Sequence, residues 1–118
     1  MSALMLTADL MFSSRVSAAA RSVEAPFRVA SSTEALLQQA SATVAPRLVI
    51  LDLTTPGCDA GRIISELRKL EPTPTVVAYA PHVLGSLLER ARDAGCDQVL
   101  TRGQFDSQMD RLLQSALT

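Results

Sequence analysis

The 118-residue sequence has no tryptophan, one tyrosine, three phenylalanines and a single lysine. Aromatic residues make up 3% and hydrophobic residues 47%, so the core must be built from aliphatic side chains. Lys69 is the only lysine, which excludes Schiff-base or lysine-nucleophile chemistry elsewhere in the chain. The sequence also lacks a G-x-G-x-x-G or Walker-type glycine loop and a G-x-S-x-G elbow. Dinucleotide binding, nucleotide hydrolysis and serine-hydrolase chemistry therefore have no motif here.

Targeting, membrane and nucleic-acid signals are also missing. No apolar run approaches the roughly 20 residues that span a bilayer, and the opening segment lacks the basic start of a signal peptide. The net charge is -1 with no basic stripe for a nucleic acid. Cys58 and Cys96 match no metal or redox spacing. His82, the only histidine, has no second ligand or nucleophile beside it in the sequence, so we expect a surface or capping role. We expect one domain over residues 1–118 in a cytoplasmic protein with reduced thiols.

Short strand-like runs alternate with longer helical segments five times along the chain. The strands are predicted at residues 3–7, 27–30, 47–51, 74–80 and 98–101. Apolar residues at helical spacing predict helices over 10–23, through 35–40, from 63 to 70, from 84 to 91 and from 105 to 116. This alternation predicts an α/β fold, a doubly wound five-stranded parallel sheet with five helices.

Three positions predict helix ends. Ser31, with Glu34 three residues later, predicts a capping box at the start of the second helix. Asp59 predicts the N-cap of the third helix. Gly95 predicts the C-terminal end of the fourth helix, where a left-handed residue is common.

Ligands of parallel sheets bind at the carboxyl ends of the strands, near the topological switch point. The residues just after the predicted strands are therefore the first candidates for a site. They include Asp9, Asp52 and Arg102, with Tyr79 at the end of the fourth strand.

Asp52 ends the most aliphatic strand of the chain, at residues 47–51. An aspartate there can act as a nucleophile, taking a phosphoryl group to form an acyl phosphate. The alternative is that Asp52 only starts the turn before Pro56. A charge at the end of a buried strand has a desolvation cost that a partner must offset, which favours a functional role.

Asp9 and Arg102 each have two interpretations. Asp9 is expected either to share a divalent cation with Asp52 or to cap the first helix. Arg102 is expected to stabilise the charge of a phosphoryl group or to hold the resting carboxylates. The alternative is that it is a solvated loop arginine.

The stretches LVILDLTTPGCDAG, residues 48–61, and AGCDQVLTRGQF, residues 94–105, resemble the receiver domains of bacterial response regulators. The resemblance covers essentially the whole chain and implies the flavodoxin-like strand order 2-1-3-4-5. It implies that Asp52 is the phospho-acceptor position, and that the carbonyl of Thr54 helps Asp52 and Asp9 to bind Mg²⁺. It implies no enzyme beyond self-catalysed phosphoryl transfer onto Asp52. The partner would be a histidine kinase or another signalling protein, and the receiver a monomer or weak homodimer.

The chain departs from that family at five positions. The acidic pair after the first strand is Ala8-Asp9, which weakens the expected Mg²⁺ binding. At two switch positions, Tyr79 replaces the family's Thr or Ser and Val99 replaces its aromatic residue. Arg102 replaces the family's lysine, and Gly103 replaces the proline that follows it. Because the bulky Tyr79 replaces the small hydroxyl side chain and Val99 replaces the aromatic ring, the usual switch should not operate.

The leading hypothesis is a two-component receiver module that is read by a protein partner. One alternative is a degenerate pseudo-receiver, which keeps the fold as a docking surface and acts without phosphorylation. The docking surface implied by the resemblance is formed by the fourth helix, fifth strand and fifth helix. Another alternative is a flavodoxin-like domain that binds a small ligand, since fold alone does not determine function.

Overall fold

The structure is a computed structural model that describes residues 2–42 and 44–118. Over these described residues, five strands alternate with five helices. The strands are β1 (Ala3–Leu6), β2 (Phe27–Ala30), β3 (Leu48–Asp52), β4 (Thr75–Ala80) and β5 (Gln98–Thr101). The helices are α1 (Leu10–Ser22), α2 (Thr33–Ser41), α3 (Ala60–Leu67), α4 (Gly85–Ala94) and α5 (Arg102–Leu117).

All strand pairs are parallel, in the order β2-β1-β3-β4-β5. The predicted fold class and strand order are therefore confirmed. The central strand β3 is buried at all five positions because helices cover both faces of the sheet. One face packs against α1 and α5, and the other against α2, α3 and α4.

The two faces carry separate aliphatic cores because successive strand residues point to opposite sides. The core under α1 and α5 includes Met5, Ile50 and Val77 from the strands. The core under the other three helices contains the strand residues that alternate with these, such as Leu51 and Ala78. Asp52 follows Leu48 and Ile50 by an even number of residues, so its side chain lies on the α1 and α5 face.

Two of the three predicted helix ends are confirmed. The Asp59 carboxylate accepts the Arg62 amide at 3.1 Å, and Gly95 ends α4 with a φ of 97°. The capping box predicted at Ser31 is wrong. The N-cap is Ser32, whose hydroxyl accepts the amide of Ala35 at 3.1 Å. The helix therefore starts one residue later, which moves Glu34 out of the capping register and leaves it paired with Arg62.

The last helix begins earlier than predicted, at Arg102 and not near Phe105. Thr101 is its N-cap, and it forms a capping box with Gln104 in which each side chain bonds the other's backbone. This box places Arg102 in the first helical turn, directly after β5. The third helix ends at Leu67, three residues before the end at Leu70 that the sequence pattern predicted.

The longest helix, α5, has 16 residues. Among the described residues, none of the helices combines the length and the apolar character that crossing a bilayer requires.

Candidate functional site at the carboxyl edge of the sheet

Three side chains meet across the carboxyl ends of the central strands. Leu6 is in register with Leu51, so the residues that follow them, Thr7 and Asp52, are neighbours across β1 and β3. Asp52 is in register with Tyr79 across β3 and β4. The pairing of the strands therefore sets Thr7, Asp52 and Tyr79 side by side, with their side chains on the α1 and α5 face.

The Asp52 carboxylate is 6% exposed and accepts three hydrogen bonds from two threonines. The Thr7 hydroxyl donates to Oδ2 at 2.7 Å. The amide and hydroxyl of Thr54 both donate to Oδ1, at 3.0 and 2.6 Å. All three donors are neutral, and the four ion pairs found among the described residues do not include Asp52. Hydrogen bonds are what offset the burial of this charge.

The turn after Asp52 is held to the sheet by two further bonds. The Thr55 hydroxyl is buried and donates to the Asp52 carbonyl at 2.7 Å. The Leu53 amide donates to the carbonyl of Tyr79 at 3.0 Å. Both bonds are made by the peptide unit that joins Asp52 to Leu53, so the carboxylate and the Thr54 donors keep a defined geometry.

Asp9 and Arg102 contact each other at the same edge. The Asp9 carboxylate accepts the Phe12 amide at 3.0 Å as the N-cap of α1, and Arg102 Nη2 lies 3.0 Å from Asp9 Oδ2. The Phe12 amide and the Arg102 guanidinium hold the pKa of the Asp9 carboxyl below its ordinary value. The Arg102 guanidinium also lies over the Phe12 ring, 4.6 Å from its centroid. Both charged groups at this edge therefore have partners other than Asp52.

Tyr79 is 2% exposed and belongs to an aromatic cluster with Phe12 and Phe105. Its ring stacks on Phe105 with centroids 4.7 Å apart and meets Phe12 edge-on at 5.4 Å. The Tyr79 hydroxyl is buried and forms no hydrogen bond of ordinary geometry with the described residues, but the Thr7 side chain lies near enough to limit the rise of its pKa. Burial, with the nearby Asp52 carboxylate, raises the pKa of this hydroxyl above its ordinary value. The cluster joins β4 to α1 and α5 directly beneath the site.

The two predicted switch positions lie on opposite faces of the sheet. Val99 is in register with Ala78 and packs against the core under α2, α3 and α4. Tyr79 packs in the core under α1 and α5. The structure therefore does not bring Val99 and Tyr79 together.

The remaining predicted residues are placed as follows. Thr54 contacts Asp52 through its amide and hydroxyl, whereas its predicted role used the carbonyl. Arg102 contacts Asp9, which fits the expectation that it holds a resting carboxylate. The residue that sequence reasoning missed is Thr7. Its only signal was its place directly after the first strand, which becomes informative once the strand register is known.

The donors around Asp52 fit a divalent cation poorly. Mg²⁺ is held by oxygen ligands, commonly one or two carboxylates with several waters. Here one carboxylate stands at the site with its oxygens already bonded, and the Asp9 carboxylate is engaged by Phe12 and Arg102. Across residues 2–42 and 44–118, no three His, Cys, Asp or Glu side chains are grouped for metal binding.

Comparison with solved structures identifies the fold. The chain matches the receiver domain of NtrX from Brucella abortus with a TM-score of 0.79 and 20% identity, covering 98% of each chain. It matches a response regulator from Hahella chejuensis with a TM-score of 0.82 and 16% identity, covering 99% of this chain and 95% of that one. The chain spans 27% of the longer NtrX chain.

A third similar structure is the receiver domain of the sensor histidine kinase PA1611 from Pseudomonas aeruginosa, with magnesium coordinated in its active-site cleft. The TM-score is 0.78 and the identity 17%, over 98% of this chain and 95% of that one. No protein-family model and no curated protein matches the sequence. The chain therefore has the fold of response-regulator receiver domains.

Proposed function

We propose that the protein is a receiver module of two-component signalling, with Asp52 as its phospho-acceptor, and that a protein partner reads its state. The observation that carries the proposal is the position of Asp52. Its carboxylate lies at the carboxyl end of the central strand β3, where parallel sheets bind their ligands, in a chain with the receiver fold. The partner would be a histidine kinase or another signalling protein.

In the proposed reaction an Asp52 carboxylate oxygen attacks the phosphorus of a phosphodonor. The new O–P bond forms as the bond from phosphorus to the leaving group breaks, and the leaving group departs with the electron pair. With acetyl phosphate the products are an aspartyl phosphate and acetate. At rest Oδ1 accepts two hydrogen bonds from Thr54 and Oδ2 accepts one from Thr7, so Oδ2 keeps a lone pair that can attack the phosphorus.

Arg102 is the proposed cation for the phosphoryl oxygens. It begins α5 at the same edge as Asp52, and a guanidinium can bind two oxygens at once. To reach the phosphoryl group it must leave the Asp9 carboxylate, which it contacts at rest. Phosphorylation would thus exchange the Arg102–Asp9 pair for an Arg102–phosphoryl contact.

A second candidate function is a docking module that acts without phosphorylation. The observation that favours it is that the Asp52 oxygens already accept hydrogen bonds from neutral donors, while Asp9 and Arg102 pair with each other. The fold, and the face formed by α4, β5 and α5, would then be what the partner reads.

The deciding experiment is incubation of the protein with Mg²⁺ and acetyl phosphate, followed by intact-mass measurement beside an Asp52→Asn control. The proposal expects one phosphoryl adduct on the wild type and none on the variant. A wild type that stays unmodified at high donor concentration, with its fold shown intact by circular dichroism, contradicts phosphorylation at Asp52 and supports the docking module.

A further inference from the structure

We infer that the resting Asp52 site excludes a divalent cation, because Thr7 supplies a hydroxyl where a cation site would need a second carboxylate. The inference concerns the site of the proposed function, but it does not depend on whether Asp52 is phosphorylated.

The Thr7 hydroxyl has a defined orientation. It accepts the amide of Asp9 at 3.0 Å and donates to Asp52 Oδ2 at 2.7 Å. A hydroxyl has one hydrogen, and the Asp9 amide occupies an acceptor position, so the hydrogen is directed at the carboxylate. A cation approaching Oδ2 from this side meets a hydrogen atom and not a lone pair.

Thr7 cannot easily move away from Asp52. Its side chain is 1% exposed, and its amide donates to the Ala30 carbonyl at 3.0 Å, continuing the pairing of β1 with β2. The register of β1 and β3 then keeps it beside Asp52. The backbone pairing therefore holds the Thr7 side chain beside Asp52.

The second oxygen, Oδ1, has both of its acceptor positions occupied. Asp52 Oδ1 accepts the amide and the hydroxyl of Thr54, so a cation must displace at least one of these neutral donors. The nearest candidate for a second carboxylate, Asp9, would have to give up the N-cap of α1 and its contact with Arg102. The loss of these contacts opposes cation binding in the resting state.

The test is a titration of the full chain with MgCl₂. Binding is monitored through the backbone amide NMR signals of Asp52, Leu53 and Thr54. Mn²⁺ is the second probe, since its paramagnetism broadens signals close to a bound ion. We expect no saturable shift and no selective broadening in the wild type through the millimolar range. Thr7→Ser, which keeps the hydroxyl, should behave as the wild type does.

Thr7→Asp should create the missing site, since the register places its carboxylate beside Asp52. We expect saturable Mg²⁺ shifts at the same amides, and their loss when Asp52→Asn is added. Two buried carboxylates without a cation repel each other and destabilise this variant. The second variant is Thr7→Ala with Ala8→Asp, which removes the hydroxyl and adds a carboxylate at an exposed position.

Saturable Mg²⁺ binding to the wild type that disappears in Asp52→Asn would overturn the inference. If Asp9→Asn also abolished it, the predicted ligand pair of Asp9 and Asp52 would be established instead. Failure of both carboxylate variants to bind Mg²⁺, when dispersed NMR spectra show that they fold, would overturn the role given to Thr7. The phosphoryl adduct is measured separately by mass, so the two proposals can fail independently.

Discussion

The ring of Tyr79 lies flat against that of Phe105, with centroids 4.7 Å apart and planes 5° from parallel. Phe12 meets both rings edge-on, at 5.4 and 5.8 Å. These three rings come from β4, α5 and α1, and the chain has only one other aromatic residue. The scarce aromatic side chains are therefore concentrated beneath Asp52, where they hold the end of β4 against both helices.

Tyr79→Phe should stabilise the protein. The ring and its stacking remain, while a buried hydroxyl without a well-formed hydrogen bond is removed. We expect the free energy of unfolding to rise by about 1 kcal/mol, as for the removal of an unsatisfied buried group. Urea denaturation measures this as a higher midpoint with an unchanged slope.

Tyr79→Leu is the matched control, since it removes the hydroxyl and the ring together. The loss of stacking and of filled volume should lower the free energy of unfolding by about 1–3 kcal/mol. If Tyr79→Phe instead lowered stability, the hydroxyl would have to make a stabilising hydrogen bond in the folded protein.

Gly95→Ala and Gly103→Ala should have opposite effects. Gly95 ends α4 with a φ of 97°, and a Cβ there would clash with the guanidinium of Arg68. The Arg68 side chain can shift, but the left-handed backbone still costs an L-residue about 1–2 kcal/mol. Gly103 lies in the first turn of α5 with open space around its Cβ position. Alanine there should stabilise by about 0.5–1 kcal/mol.

Thermal or urea unfolding of the two variants beside the wild type gives the comparison. Equal changes in the free energy of unfolding would show that the left-handed backbone at Gly95 does not determine the effect of Gly95→Ala on stability.

The architecture could be predicted because its signals are local. The uninterrupted aliphatic run of residues 48–51 indicates a strand covered on both faces, and helical spacing of apolar residues marks the segments between strands. Helix starts were less accessible. Ser31 and Ser32 are chemically identical, and only the backbone geometry selects Ser32 as the cap. At α5 the pair Thr101 and Gln104 forms a capping box that the sequence interpretation overlooked.

The site was predictable only to its central residue. Asp52 is visible as a charge ending an apolar strand, and it lies at the predicted edge. Its actual partner from β1 is Thr7, a residue with no chemical signature in the sequence. Which of residues 7 to 9 reaches Asp52 depends on the register of β1 against β3 and on the N-cap of α1, which uses Asp9. Both are tertiary properties that single residues do not report.

Asp9 should contribute to stability in a pH-dependent way. Its folded pKa is lowered by the Phe12 amide and by Arg102, so the unfolded state binds the proton more readily. The contribution is therefore complete above the ordinary pKa of 3.8 and is lost as the pH falls through the lower folded value. Asp9→Asn keeps a capping oxygen but removes the charge. The stability difference between wild type and variant should be largest near neutral pH and shrink below about pH 4.

Arg102→Met provides the graded control, since its apolar stem can still cover Phe12. It removes the ion pair but leaves the hydrogen bond from the Phe12 amide to Asp9. The loss of stability at acid pH should therefore be reduced less by Arg102→Met than by Asp9→Asn. Urea midpoints measured across the acid range test both variants. Identical acid profiles for wild type and Asp9→Asn would contradict the lowered pKa.

The two cysteines should react slowly in the folded protein. Burial raises the pKa of the Cys58 thiol to about 11, with a further contribution from the Asp52 carboxylate. Burial raises that of Cys96 to about 11, with a contribution from Asp97. The thiolate is the reactive form. A rise of the pKa from its ordinary value of 9.0 to about 11 therefore lowers the reaction rate about a hundredfold at pH 8. Titration with an aromatic disulfide, in native buffer and in urea, measures this ratio.

Asp52→Asn turns the same assay into a probe of the site. The substitution removes a charge that disfavours the Cys58 thiolate, so Cys58 should react faster than in the wild type. Cys96 should keep its rate, since its pKa is raised by burial and by Asp97. Peptide mapping of the labelled protein separates the two thiols. Equal acceleration of both thiols would mean that the variant exposes them by partial unfolding. Acceleration of neither would show that the Asp52 charge does not affect the pKa of Cys58.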